Sequence, residues 1–208
     1  MRYFFALLAG LIVNEAQAEK IAIPDCSLLF VENGNAVVQN WTKSTVTHVA
    51  VVVYEDGEPY VYEAEPPVVK KYTLKDWFFI YGRQNEGTAK KRIVTIFASK
   101  EEYTKEQLES NKAYLKKQLG RRYSLRGYVR RIPGDGIHCA EMTAEMLGYD
   151  HPYGYSPSSL LEQIKETHNQ LGHSFFVELK PSLKRSTWER SLDWCANRGK
   201  WCSWSCKE

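Results

Sequence analysis

The chain has 208 residues, a formal net charge of +3 and 43% hydrophobic residues. This length favours one domain that buries a substantial core, and the small charge argues against a nucleic-acid-binding protein. Arginines interleaved with aromatic residues predict a solvated basic rim near a functional site (Arg121, Arg122, Arg126, Arg130, Arg131).

The N-terminus has the pattern of a secretory signal peptide. Arg2 precedes an apolar run from Tyr3 to Val13, and Ala16-Gln17-Ala18 matches a signal-peptidase site. The run is too short to cross a bilayer. We therefore expect residues 1–18 to be removed, which leaves Glu19 first in a periplasmic or secreted protein without stable membrane insertion.

A buried strand is predicted soon after the signal. Residues 21–30 include the run Ser27-Leu28-Leu29-Phe30, and Asn33-Gly34-Asn35 is typical of a turn. Residues 36–45 are polar, and no element is assigned to them.

The strongest local signal is a β-hairpin. Val46–Tyr54 is rich in β-branched residues and apolar on both faces, which indicates a central strand. Asp56-Gly57 favours a two-residue turn, and Tyr60–Ala64 is the returning strand.

This turn fixes which side chains share a face. If the loop has two residues, Glu55 pairs with Glu58, and His48 then projects from the same face as Glu63 and Glu65. Either of the two later carboxylates could reach the imidazole. The inference depends on the loop length, because a slip of one residue would move both carboxylates to the other face.

The remaining elements follow from periodicity and from capping residues. Thr73, Thr104 and Ser156 are predicted helix N-caps. Strands are predicted at Val68–Tyr72, Arg92–Phe97 and Phe175–Leu179, and helices at Thr73–Trp77, at Thr104–Leu119 and from Ser156 to Leu171.

Cys139 is the candidate nucleophile. It follows the loop Pro133-Gly134-Asp135-Gly136 and begins a run of helix formers that Gly148 would end. The unpaired N–H groups and the positive dipole end of a helix favour a thiolate there. A buried structural cysteine is the competing interpretation, and capping explains the nearby acids Asp135 and Glu141 without a catalytic role.

The cysteine count supports this choice. In an exported protein, five cysteines indicate disulfides and one free thiol. Removing Cys139 leaves four disulfide candidates, which are Cys26, Cys195, Cys202 and Cys206. They can pair in one of three connectivities, and the expected pairs are Cys202–Cys206 and Cys26–Cys195.

Cys139, His48 and Glu63 supply the groups that a thiol hydrolase requires: a nucleophile, a base and a residue that orients the base. A metal site at His138, Cys139 and His151 lacks regular ligand spacing, so we expect no metal and no cofactor. His168 and His173 are expected to face solvent.

Five short motifs resemble one family. They are Asp25-x-x-Leu28-Leu29-Phe30, Thr47-His48-Val49-Ala50-Val51-Val52, Tyr62-Glu63-Ala64, Gly120-Arg121-Arg122-Tyr123 and His138-Cys139-Ala140-Glu141. Their order is similar to that of circularly permuted papain-like hydrolases of the YiiX type, relatives of NlpC-type endopeptidases and of lecithin retinol acyltransferase. The resemblance, which covers about residues 21–165, implies Cys139 as nucleophile, His48 as base and Glu63 as orienting residue. The family's glycine-aspartate is Pro24-Asp25 here, its later glycine is Ala50 and its Cys-Ser-Glu is Cys139-Ala140-Glu141.

We therefore expect an α+β, permuted papain-like fold, with an antiparallel sheet of about five strands packed against helices. The hydrolase domain is assigned to residues 19–180, and residues 181–208 form a disulfide-stapled tail rich in cysteine and tryptophan.

The expected activity is that of a cysteine amidase or peptidase. The Cys139 backbone N–H would stabilise the oxyanion, with Tyr123 as a second contact. A cell-wall (peptidoglycan) peptide is the favoured substrate, because export and the resemblance agree. An acyl-lipid or acyl-protein esterase or acyltransferase and a non-catalytic exported binding domain are the alternatives, and the oligomeric state is left open.

Overall fold

The computed structural model describes residues 23–83 and 92–176 of the chain. These residues form an α+β fold around one antiparallel sheet of six strands, where the sequence predicted about five. The predicted signal peptide and the tail at 181–208 lie outside the described residues. The strands are β1 (Leu28–Glu32), β2 (Val46–Glu55), β3 (Glu58–Glu65), β4 (Val68–Thr73), β5 (Ile93–Ser99) and β6 (His168–Phe176).

Six α-helices accompany this sheet in the described ranges. None of them is long and apolar enough to cross a membrane. A single 3₁₀ turn at Pro152–Gly154 follows the fifth helix. The helices are α1 (Ala36–Thr42), α2 (Leu74–Arg83), α3 (Lys105–Gln118), α4 (Arg126–Arg130), α5 (Cys139–Met146) and α6 (Pro157–Ile164).

The sheet separates two layers of core. Its strand order is β4-β3-β2-β1-β5-β6, which puts β2 in the interior as the sequence predicted. One face packs against α5 and α6 and includes the fully buried Phe30 and Met142. The other face packs against α2 and includes Leu29 and Trp77. Both faces are covered, because strands apolar on both sides must bury both.

The predicted hairpin is confirmed in turn and register. Asp56 and Gly57 both have positive φ, at 51° and 84°, as the central positions of a type I′ turn require. Glu55 pairs with Glu58, and Val51 pairs with Tyr62. This register places His48 and Glu63 on one face of the sheet, as predicted.

The predicted helix starts are also confirmed. Thr104 and Ser156 each form a capping box, in which the side chain accepts the backbone N–H of the third helical residue. Thr73 Oγ1 accepts the N–H of Asp76 at 3.1 Å, although α2 runs six residues beyond the predicted Trp77. Asn35 caps α1, in the segment to which no element had been assigned.

The predicted end of the helix that Ser156 caps and the predicted start of the next strand were both wrong. The helix ends at Ile164, and β6 begins at His168 instead of Phe175. Lys100 Nζ caps the end of this helix by donating to the carbonyl oxygens of Lys165 and Glu166 at 3.0 and 2.8 Å. Pairing with β5 then satisfies the backbone of the next residues, so tertiary contacts override the helical periodicity.

This change of element also buries His168, which the sequence predicted to face solvent. Its side chain is 5% exposed, and burial lowers its pKa.

Candidate active site

Cys139 is the first residue of α5 and is 3% exposed. His138 caps this helix, since its Nδ1 accepts the N–H of Glu141 at 3.4 Å. The Glu141 carboxylate in turn accepts the N–H of His138 at 3.4 Å. Gly148, with φ at 74°, follows the helix as the sequence predicted. Cys139 therefore lies where unpaired N–H groups and the helix dipole stabilise negative charge.

His48 lies on β2 next to an irregularity in the sheet. Val31 pairs with His48 and Glu32 with Val46, so Thr47 is an extra residue in the strand. Such a bulge re-aims neighbouring side chains and is common beside active sites. Because of this bulge, the residues of β2 before His48 do not continue the alternation of faces that His48 and the later residues follow.

Glu63 is completely buried and accepts three hydrogen bonds on one oxygen. Its Oε2 atom accepts from His48 Nε2 at 2.8 Å, from Trp77 Nε1 at 2.8 Å and from the Tyr81 hydroxyl at 3.0 Å. Oε1 has no hydrogen-bond partner among the described residues. Burial raises the pKa of Glu63, but the bond to His48, the histidine charge and the bonds from Trp77 and Tyr81 outweigh it and lower the pKa.

Trp77 and Tyr81 were not among the site residues predicted from the sequence. Both lie on α2, with stacked rings whose centroids are 4.3 Å apart. Tyr81 also stacks on the His48 imidazole at 5.7 Å, so it fixes both members of the pair. The predicted helix ended at Trp77; extending it to Tyr81 would have placed two aromatic residues four apart on one helix face, which was the signal available in the sequence.

The electrostatics link Cys139 to His48. Burial raises the pKa of the thiol, but the charge of His48 and the neighbouring His138 side chain lower it well below the ordinary value. Burial lowers the pKa of His48, but the Cys139 thiolate and the bond to Glu63 raise it. Since Nε2 of His48 is bonded to Glu63, Nδ1 is the nitrogen left for Cys139. The arrangement favours a thiolate beside an imidazolium.

Glu65 and Tyr123, the two other predicted residues, lie nearby. His48 Nε2 bonds Glu63 and not Glu65, whose Oε2 lies 4.0 Å from Lys70 Nζ. Burial and the Glu63 charge raise the pKa of Glu65. The register had allowed either carboxylate, and the structure brings Glu63 to His48. Burial and the negative charges of Cys139 and Glu65 raise the pKa of Tyr123, which keeps its hydroxyl protonated.

Cys139 opens onto a groove that Tyr123 and Thr47 also line, and the empty space there, open solvent included, is about 470 Å³. Its walls come from α1, from the segment around α4 and from the start of α6, and they are mainly apolar. The lining contains no carboxylate, ammonium or guanidinium group. The wall residues are Val37, Val38, Trp41, Leu125, Tyr128, Val129, Tyr155 and Pro157.

Cys26 is the other cysteine in the described part of the chain. It is completely buried and forms no disulfide within the described residues, and Asn111 Nδ2 donates to its sulfur at 3.7 Å. Burial raises its pKa to about 11. Cys195, Cys202 and Cys206 lie outside the described residues, so the two predicted disulfides stay a prediction.

The described residues contain no group of three or more His, Cys, Asp or Glu side chains arranged to hold a metal. His138 is buried as a helix cap, whereas His151 Nδ1 lies 2.9 Å from the Tyr153 hydroxyl on the exposed surface. The side chain of His173 lies outside the described residues.

No protein-family model and no curated protein matches the chain. Among solved structures, it is similar to the metalloprotein YiiX from Escherichia coli O157:H7, with 22% identity and a TM-score of 0.43. The match covers 60% of this chain and 65% of that protein. YiiX is the type that the sequence motifs resemble. A likeness this distant assigns no residue role and no chemistry to this chain.

Proposed function

We propose that the protein is a thiol hydrolase in which Cys139 is the nucleophile, His48 the base and Glu63 the residue that orients His48. The observation that carries the proposal is the buried His48–Glu63 bond of 2.8 Å beside a thiol of lowered pKa. A purely structural cysteine in an apolar core has a raised pKa, as Cys26 does.

In the proposed reaction, the Cys139 sulfur attacks the carbonyl carbon of an ester or amide. The carbonyl electron pair moves onto oxygen, where the Cys139 backbone N–H donates to it and the protonated Tyr123 hydroxyl is the second candidate donor. The leaving group departs with the proton of His48. Water, deprotonated by His48, then attacks the acyl-thioester and releases the acid and the thiolate.

Glu63 acts through His48. Its three accepted hydrogen bonds fix the carboxylate, which in turn fixes the orientation of the imidazole and stabilises its charged form. Trp77 and Tyr81 are therefore positioning residues, since they act only through Glu63 and His48.

The groove favours a substrate with an apolar acyl group. Most of its lining is aliphatic or aromatic, and burying the hydrocarbon of an acyl group against such side chains lowers the free energy of binding. A cell-wall peptide carries carboxylates and amines, for which the lining offers no opposite charge. An acyl ester or acyl amide is thus better supported than the cell-wall peptide that the sequence favoured. That peptide stays an untested hypothesis, as do export and a non-catalytic binding role.

The test compares Cys139→Ala with the unmodified protein on p-nitrophenyl esters of increasing chain length and on purified peptidoglycan. We expect kcat/KM to rise with chain length and the variant to lose turnover while its circular dichroism is unchanged. Cys26→Ala is the matched control, because it removes the other buried cysteine of the described residues and leaves Cys139, His48 and Glu63 unchanged. Full turnover by Cys139→Ala would refute the thiol mechanism, and release of peptide fragments alone would restore the cell-wall substrate.

A further inference from the structure

Two segments at the rim of the groove combine exposed apolar residues with positive charge. Trp41 on α1 is 41% exposed, Val129 on α4 is 48% exposed, and Ile132, just beyond α4, is 52% exposed. Trp41 and Val129 line the same groove as Cys139. The side chains that surround the candidate nucleophile are therefore among the most exposed large apolar residues of the described chain.

The charge of these segments has one sign. Residues 36–43 and 121–134 contain no aspartate or glutamate. Lys43, Arg130 and Arg131 are exposed, and Arg126 is half-buried. Arg131 packs its guanidinium 5.0 Å above the ring of Tyr128, which holds this charge at the rim. Arg126 and Arg130 form no salt bridge with another described residue, unlike Lys112, which lies 3.0 Å from Asp25.

We propose that this rim, defined by Lys43, Trp41, Arg126, Val129, Arg130 and Ile132, docks on the surface of an anionic lipid bilayer. Tryptophan prefers the bilayer interface. Arginine can bury the aliphatic part of its side chain in the apolar layer while its guanidinium contacts the lipid phosphates. Basic residues near an anionic leaflet add affinity one by one. A charged and apolar rim around an apolar groove thus complements an anionic acyl-lipid surface.

Docking would place the groove mouth against the lipid, so that an acyl chain enters between α1 and α4 and its carbonyl reaches Cys139. This step rests on the proposed function, since it assigns the acyl group to a membrane lipid. The binding itself needs no catalysis and can be measured separately.

The experiment uses the Cys139→Ala chain starting at Glu19, the predicted mature form, so that neither hydrolysis nor the apolar run at 3–13 contributes. Vesicles of 30% phosphatidylglycerol in phosphatidylcholine are compared with pure phosphatidylcholine by co-sedimentation. We expect binding to the anionic vesicles that weakens with added salt, because exposed charges are screened.

Two variant pairs locate the surface. Arg126→Glu/Arg130→Glu should weaken binding at least about tenfold, whereas Lys105→Glu/Lys117→Glu, an equal charge change on α3, should leave it close to the parent. Trp41→Ala should weaken binding several-fold, whereas Phe79→Ala, which removes an aromatic that is 48% exposed on α2, should not.

Equal binding by the two charge-reversal proteins would overturn the proposal, as would absence of binding to anionic vesicles. A dimer in gel filtration that Trp41→Ala dissociates, with no vesicle binding, would instead identify the rim as an interface between copies. None of these results depends on the Cys139 chemistry, so a failure here and a failure of the hydrolase proposal are distinguishable.

Discussion

The pH dependence of Cys139 alkylation is the most direct test of the site. Near pH 6 an ordinary thiol is about 0.3% thiolate, given a pKa of about 8.5. Cys139, whose pKa is lowered by His48, should be largely ionised there. That is an excess on the order of 300-fold in thiolate. The lower nucleophilicity of a less basic thiolate removes roughly 30-fold of it, which leaves labelling about tenfold faster than for an ordinary thiol.

The assay is iodoacetamide labelling between pH 5 and 10, with each cysteine followed by peptide mapping. Cys26 is the internal control, because its raised pKa of about 11 leaves it almost unlabelled near neutrality. In His48→Ala the charge of His48 is lost, whereas burial and the His138 side chain remain, so the pKa of Cys139 should rise and labelling at pH 6 should fall sharply. Labelling that follows an ordinary thiol pKa in the unmodified protein, or an unchanged profile in His48→Ala, would refute the ion pair.

Three further predictions concern the contacts of Glu63 and the buried core. His48→Ala should lower kcat by several orders of magnitude and Glu63→Gln by less, whereas Glu65→Gln should have a small effect; a larger loss from Glu65→Gln than from Glu63→Gln in an ester assay would reverse the assignment. Trp77→Phe removes a donor to a buried carboxylate and should cost about 1.5–3 kcal/mol in urea unfolding at pH 7. Because the folded pKa of Glu63 is lowered, the stability from its ionised form is present above the unfolded pKa and is lost as pH falls. The loss caused by Trp77→Phe should therefore shrink on acidification, and a constant loss would contradict this. Leu28→Ala, in the fully buried core, should cost about 2–5 kcal/mol without changing the pH profile of labelling, a result that separates packing from the site.

The sequence by itself determined the elements whose signals are local. Asp56-Gly57 can satisfy two positive φ angles, so the turn, the register and the common face of His48 and Glu63 followed from the chain. Thr104 and Ser156 could be identified as caps, because a side chain and a backbone N–H three residues apart suffice. Cys139 at the start of a helix rested on the same kind of information.

Tertiary structure alone decided what depends on residues distant in the sequence. Glu63 and Glu65 share a face, but it is Glu63 that bonds His48, and Trp77 and Tyr81 from α2 hold its carboxylate there. The end of α6 and the start of β6 were set by pairing with β5, against the local periodicity. Contacts between such distant segments cannot be predicted from either segment alone. Strand pairing and side-chain burial lower the free energy only when both partners are assembled.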